Sequence, residues 1–281
     1  MTKRKLVSIC VITYNQEHFI NETLDSVLEQ DYRPLEIIVA DDGSKDHTPQ
    51  ILKRYEENNP NIVKVITGGP NLGITGNSNR ALKTCNGEYV AFLGGDDLMM
   101  PGKISQQVAW LEKDSQRILS AHDVIIIDEK GNNEKYLKCG SMLKTTTNNT
   151  INELIRYGNI IVGSSVMLRR SAIPDYGFDE RLPIASDWML WIDSLRNGGT
   201  FGILHKPLTK YREHKKGVTK SKRKECFMDG MKTIEIVNKK YPYLGNDIKK
   251  CLLRLFMSEV KAMRINIAAI ALMRVIKSIN I

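Results

Sequence analysis

Three groups of carboxylates stand where a protein can do chemistry with phosphate and metal. Asp41-Asp42 closes an apolar run and is followed by Gly43-Ser44. Asp96-Asp97 closes a second apolar run through Gly94-Gly95, and Asp187 precedes a segment containing Trp188 and Trp191. A single Asp after a strand serves equally well as a helix cap or turn former. Two Asp-Asp pairs at two strand ends ask for more, because adjacent carboxylates repel unless cations or hydrogen-bond donors meet them. A hard divalent cation whose shell is completed by phosphate oxygens would meet them. Gly94-Gly95 fits the same picture, since glycine lets backbone approach a bulky ligand, although a loop needing positive φ explains it as well.

The elements that must hold these residues can be read from the spacing of apolar positions. Leu6–Ile12, Leu35–Ala40, Asn61–Thr67 and Glu88–Leu93 read as strands. Between them Gln16–Glu29, His47–Glu57 and Thr75–Cys85 have helical spacing. Continuous apolar strands alternating with helices imply an α/β fold with a mostly parallel sheet covered on both faces. Ligands of such sheets bind beyond the carboxyl ends of the strands, where the carboxylates lie. Further along, Ile104–Lys113, Ile151–Tyr157 and Trp188–Asn197 read as helices. Ser120–Ile127, Ser164–Leu168, Phe201–Leu204 and Leu208–Tyr211 read as strands, with a hairpin turn at Asp128–Gly131. Lys215–Lys224 is a basic loop, and from Glu225 the pattern is helical with a break at Tyr241-Pro242. The division is a catalytic domain over 1–215 and a basic helical extension over 216–281.

Composition narrows the class. The 281 residues are 42% hydrophobic and 26% charged, ordinary for a globular chain, but the net charge of +9 favours anionic partners. Five scattered cysteines without a CxxC spacing argue against a disulfide framework or zinc site and suit a reducing compartment. The Leu6–Ile12 run reads as a buried strand and not a signal peptide, and nothing approaches the roughly 20 apolar residues of a membrane span. Thr13-Tyr14-Asn15-Gln16 stands where a dinucleotide-binding GxGxxG would follow the first strand. A phosphate-binding GxxxxGK[ST] loop, a GxSxG elbow and a Cys–His constellation are all missing.

The motifs in order resemble the family-2 glycosyltransferases of the GT-A fold. Val7–Asn15 is similar to that family's opening strand, and Glu36–Ser44 with Asp46 and Thr48 resembles its D-D-G-S-x-D-x-T signature. Asn71-Leu72-Gly73 with Asn79, Gly87–Leu93 with Asp96-Asp97, Ser186–Trp191, and Tyr211-Arg212-Glu213-His214 match its later segments. The match runs from Leu6 to His214. It implies a GT-A nucleotide-binding domain in which Thr13, Tyr14, Asn15, Asp42, Asn79 and Asp96 serve the nucleotide. Asp42 would accept a hydrogen bond from the base, usually uracil. Asp97 would ligate Mn²⁺ or Mg²⁺, His214 would approach the metal or diphosphate, and Asp187 would be the general base. Gly95 replaces the first Asp of a strict D-x-D, Ser78 stands where Arg is common, and Ser186 stands where Glu is usual.

The reaction so implied is inverting transfer of a sugar from a nucleotide-sugar, with UDP as the expected nucleotide, to an acceptor hydroxyl. The tail adds an expectation of its own. Lys249, Lys250, Arg254, Lys261, Arg264, Arg274 and Lys277 punctuate apolar residues such as Leu252, Leu253, Met263, Ile267, Ile270, Met273 and Ile276. Such a helix suits an anionic membrane surface, or else packs on the domain with its charges solvated. By analogy, the acceptor is a lipid-diphosphate-linked saccharide of bacterial surface polysaccharide (O-antigen, lipopolysaccharide), and the protein is cytoplasmic, peripheral on the inner face of the membrane. A non-catalytic nucleotide-sugar binder and a nucleic-acid-binding module are the alternatives. The latter lacks an aromatic-and-basic strand pattern or a recognition helix, so nucleic acid is not an expected partner.

Overall fold

The computed structural model describes residues 4–261 and residue 273. Its first half alternates as the apolar spacing predicts: β1 (Val7–Thr13), α1 (Ile20–Leu28), β2 (Leu35–Asp41), α2 (Thr48–Asn58), β3 (Val63–Ile66), α3 (Gly73–Leu82) and β4 (Tyr89–Gly94). Next come the short β5 (Leu98–Met99), α4 (Lys103–Glu112), β6 (Arg117–Ile127), β7 (Lys135–Leu137) and α5 (Ile151–Tyr157). The chain continues through β8 (Met167–Arg169), α6 (Asp187–Ser194) and β9 (Thr200–Arg212). It then forms α7 (Val218–Ser221), α8 (Arg223–Lys240) and α9 (Gly245–Lys261).

The strands join one nine-stranded mixed sheet in the order β3-β2-β1-β4-β8-β6-β9-β5, with β7 beside β6. Strands β3, β2, β1 and β4 are parallel. The register sets Thr13 opposite Asp41 and Ile12 opposite Gly94, so three strands end level. Beside β1 the order turns, with β2 on one side and β4 on the other, which is where open α/β sheets hold ligands. Helices cover both faces over two apolar clusters. One holds Ile20, Leu24, Ile37, Leu52 and Ile104; the other holds Phe92, Leu154, Trp188 and Trp191.

Besides the short strands β5 and β7, which the apolar spacing does not predict, three elements differ from the sequence reading. The two short strands expected within 201–211 are one strand, β9, whose register against β6 shifts at His122–Asp123, opposite Pro207. Proline donates no backbone hydrogen bond, so a local irregularity there lets pairing continue on either side. The strand expected from Ser164 begins only at Met167, because Gly163–Ser165 forms a 3-10 turn. The basic loop is also shorter than expected, since α7 and the start of α8 occupy much of it.

The described residues after 215, expected to form an extension, pack on those before it. Met231, Ile234, Val237, Leu244, Ile248, Cys251 and Leu252 share one cluster with Leu154, Ile155, Trp188 and Trp191. Polar ties accompany this burial: Arg156 Nε donates to Asp247 at 2.7 Å, and Lys240 Nζ donates to the buried Asp193 at 2.7 Å. Among the described residues no helix is long and apolar enough to cross a membrane. Met263, Arg264, Ile267, Ile270, Arg274, Ile276 and Lys277 of the expected amphipathic helix lie outside the described residues.

Candidate active site

The loops after β1 and β2 are stitched together by the side chains of the Asp41–Thr48 signature. The Asp42 amide donates to the Thr13 carbonyl at 3.0 Å, and the Asn15 amide donates to Ser44 Oγ at 2.7 Å. Asn15 Oδ1 accepts from the Lys45 amide, Thr48 Oγ1 from the Gln16 amide, and Asp46 from the Glu17 amide. Asn15 itself takes a positive φ of 53°, a conformation Asn tolerates better than most residues. Asp41 is buried against the Ser44 hydroxyl, the Ser44 amide and Thr67, so it organises the turn. Asp42 is buried too, and accepts the Leu72 amide at 2.7 Å and the Gly73 amide at 2.9 Å. These amides open α3, where a helix favours negative charge. Arg80 completes the set at 3.3 Å from Asp42 and also reaches the Asp41 and Pro70 carbonyls. Tyr14 and Leu72, next to these contacts, stay exposed and offer apolar faces to a flat ligand.

The second carboxylate pair splits. Asp96 Oδ2 meets His214 Nε2 at 3.0 Å. The Asp97 side chain turns inward, accepts the Arg212 amide at 2.9 Å and receives the Ser164 hydroxyl. Burial, and then the charge of Asp96, push the Asp97 carboxyl well above the usual carboxylate range. The residue expected to face a metal is therefore a buried anchor, and its neighbour faces His214. Arg212, quoted as part of a motif but given no role, fixes this corner. Its guanidinium donates to the Asp96 and Glu129 carbonyls and to Glu22, and lies 4.9 Å from the Phe19 ring centre. His214 rests against the same ring at 5.1 Å.

The Asp96 carboxylate suits a hard Mn²⁺ or Mg²⁺ ion that draws its other ligands from phosphate and water, with His214 beside it. Among the described residues no three His, Cys, Asp or Glu side chains converge as a closed protein cage. The donor set fits an ion that arrives with its phosphate ligand. Gly95 backs the loop closely: a Cβ there would lie 2.3 Å from Gln16 Oε1 and 2.9 Å from Thr13 Cβ. Thr13 Oγ1 and Gln16 Oε1 are buried and have no hydrogen-bond partner among the described residues.

Asp187 opens α6 across the Gly163–Ser165 turn. Its carboxylate accepts the Trp188 amide at 2.8 Å and the Asn159 side-chain amide at 3.2 Å. Burial raises its pKa above the ordinary value, and those two donors partly hold it back. Ser186, in place of an expected Glu, lies 2.8 Å from Thr75 Oγ1, tying this loop to α3. Asn79 is not brought to the rim. Its amide pairs in both directions with the Phe178 backbone, at 2.8 and 2.9 Å, and so holds the loop that leads to α6. Asn159 and Ser164 carry no chemical role in the sequence reading, since neither lies in a segment whose spacing or composition marks chemistry.

The chain is similar to known proteins. Residues 8–177 match the family model described as Glycosyl transferase family 2. An uncharacterized protein of Mycobacterium tuberculosis is 32% identical over 214 residues, 75% of this chain and 60% of that one. An uncharacterized glycosyltransferase of Rickettsia conorii is 34% identical over 195 residues, 68% of this chain and 31% of that one. The chain thus spans 60% or less of the length of these two relatives. Among solved structures, the crystal structure of S. aureus TarS 1-349 in complex with UDP-GlcNAc superposes with a TM-score of 0.72 at 23% identity. It covers 90% of this chain and 73% of that one, and at this identity it shows a shared fold.

Proposed function

Because the chain belongs to glycosyl transferase family 2, we propose that it moves a sugar from a nucleotide-sugar, a UDP-sugar, to an acceptor hydroxyl with inversion at the anomeric carbon. What supports this reading is that Asp42 follows β2, the Asp96–His214 pair follows β4, and Asp187 lies against the turn that Ser164 ties to Asp97. The crystal forms of TarS with UDP and with UDP-GlcNAc support a UDP-sugar as donor class.

In this reading Thr13, Tyr14, Asn15 and Asp42 line the nucleotide pocket. Asp96 and His214 would hold Mn²⁺ or Mg²⁺ against the diphosphate, while Asp97 keeps their loop in place from behind. When bound, the cation supplies positive charge to a diphosphate leaving group that gains negative charge. Asp187 takes the proton of the acceptor hydroxyl as that oxygen bonds to the anomeric carbon. The anomeric C–O bond to phosphate breaks in the same displacement, its electron pair leaves with the diphosphate, and configuration inverts. The test is UDP release from a panel of UDP-sugars with Mn²⁺ and a saccharide acceptor. Wild type should release UDP, and Asp187→Asn should release it far more slowly, while still binding UDP. Loss of UDP binding in that variant would reassign Asp187.

The acceptor class rests on the tail. Leu253, Met257 and Val260 are exposed on α9 among Lys250, Arg254 and Lys261, a basic and apolar face suited to anionic lipid. A lipid-diphosphate-linked saccharide at the inner face of the membrane, as in surface-polysaccharide assembly, follows as the proposed acceptor. Flotation with vesicles containing anionic lipid, against zwitterionic vesicles, tests it. Absent binding to both would remove the membrane from the account, and equal binding to both would remove the attraction to anionic lipid.

A further inference from the structure

We infer that Ser164 is a positioning residue that sets the spacing between the leaving-group half of the site and the base half. The inference rests on the reaction proposed above and goes beyond it by naming what holds its two halves in register. Ser164 is buried in the Gly163–Ser165 turn, and its hydroxyl donates to Asp97. The other Asp97 oxygen holds the Arg212 amide, two residues before His214, which meets Asp96. On the far side of the turn, a Cβ on Gly163 would sit 3.7 Å from Asp187 Oδ2. A single hydroxyl therefore links the turn against the base to the carboxylate that anchors the metal-facing loop.

The turn is itself braced from three directions. Thr209 Oγ1 on β9 donates to the Ser164 carbonyl at 3.2 Å and lies 3.5 Å from His122 Nε2 on β6. Gln107 on α4 donates to the Ser165 carbonyl at 2.9 Å, and its own oxygen accepts from the buried Lys103 Nζ at 2.7 Å. The Ser165 hydroxyl donates to the Val162 carbonyl at 2.7 Å. So rigid a mount is what an in-line displacement needs, because a misplacement of about 1 Å can cost about 10²-fold in rate. Ser164 touches no reacting atom; it acts through Asp97 and through the turn against Asp187.

The experiment compares wild type with Ser164→Ala, Ser164→Cys and Ser165→Ala. Binding of UDP with Mn²⁺ is measured by calorimetry, and turnover of a UDP-sugar by UDP release. The Arg212 amide still anchors Asp97 in Ser164→Ala, so UDP affinity and donor KM should stay within about threefold while kcat falls about 10- to 100-fold. Ser164→Cys keeps the size with a weaker donor and should fall between. Ser165→Ala loses only a brace within the turn and leaves the link to Asp97 intact, so its kcat should fall much less than that of Ser164→Ala, with UDP affinity unchanged. An unchanged kcat in Ser164→Ala would overturn the inference. So would equal losses of kcat in Ser164→Ala and Ser165→Ala, or a fall in UDP affinity parallel to kcat. If Ser164→Ala does not fold, Ser164→Cys decides by the same split. A wild type that binds no UDP and releases none from any UDP-sugar sinks the underlying reading instead.

Discussion

Asp96 and Asp187 are the same side chain in two surroundings, and the surroundings divide the work. Asp96 keeps partial access to solvent beside His214, where it can meet a cation and a diphosphate. Burial raises the pKa of Asp187 above the ordinary value, which makes it a better proton acceptor than an ordinary carboxylate. Replacing Asp187 by Asn should lower kcat about 10²- to 10⁴-fold with UDP affinity retained, read by UDP release and calorimetry. A base works only when deprotonated, and burial lifts this one above its ordinary value of 3.8. The acid limb of the pH–rate profile should therefore sit above that value, with rate rising through it. Asn159→Ala removes a donor that favours the charged form and should move the limb to higher pH. The Asp-Asp pairs were visible in the sequence, but which member turns inward was not. That choice depends on Ser164 and Arg212, which lie 67 and 115 residues from Asp97. Asn79 misled for a similar reason: its amide serves the Phe178 backbone, 99 residues away, and no local pattern reports that.

Among the elements, the loop from β4 to β5 shows how little room the rim allows. Gly95 has no space for a side chain against Thr13 and Gln16. Gly95→Ala should cost about 1–3 kcal/mol by overpacking, seen as a lower melting temperature, and should weaken nucleotide binding by displacing Asp96. The parallel half of the sheet was legible because β1, β2 and β4 are buried on both faces and read as unbroken apolar runs. The continuity of β9 was not, since Lys206-Pro207 looks like a break until β6 is alongside to absorb it. The turn at Ser164 was hidden for a related reason. Gly163-Ser164-Ser165 leads straight into Val166-Met167-Leu168, and apolar spacing alone extends the strand backward over the serines.

At the scale of the molecule, the chain's tail is part of its core as far as Lys261. Helices α8 and α9 cover Leu154, Ile155, Trp188 and Trp191, which lie behind the base and its turn. Ile234→Ala and Leu252→Ala should each cost about 2–5 kcal/mol, as large-to-small changes at buried sites do. If the extension and the catalytic domain unfold together, each change should shift one cooperative transition in a thermal melt. Two separate transitions would show that the extension folds apart from the catalytic domain. The sequence marked the tail as helical, basic and amphipathic, and could not say which face meets protein, because Leu252 and Leu253 read alike and only the first is buried. The central claim is that the rim binds a nucleotide-sugar together with a divalent cation. Its most direct test is a thermal-shift series over UDP-sugars with Mn²⁺ and again with chelator. At about a hundred times its Kd a ligand adds about 2.7 kcal/mol, which for a protein of this size moves the melting temperature by several degrees. Stabilisation by a UDP-sugar that chelator abolishes is the predicted result. No shift with any UDP-sugar, or a shift indifferent to the metal, would contradict it.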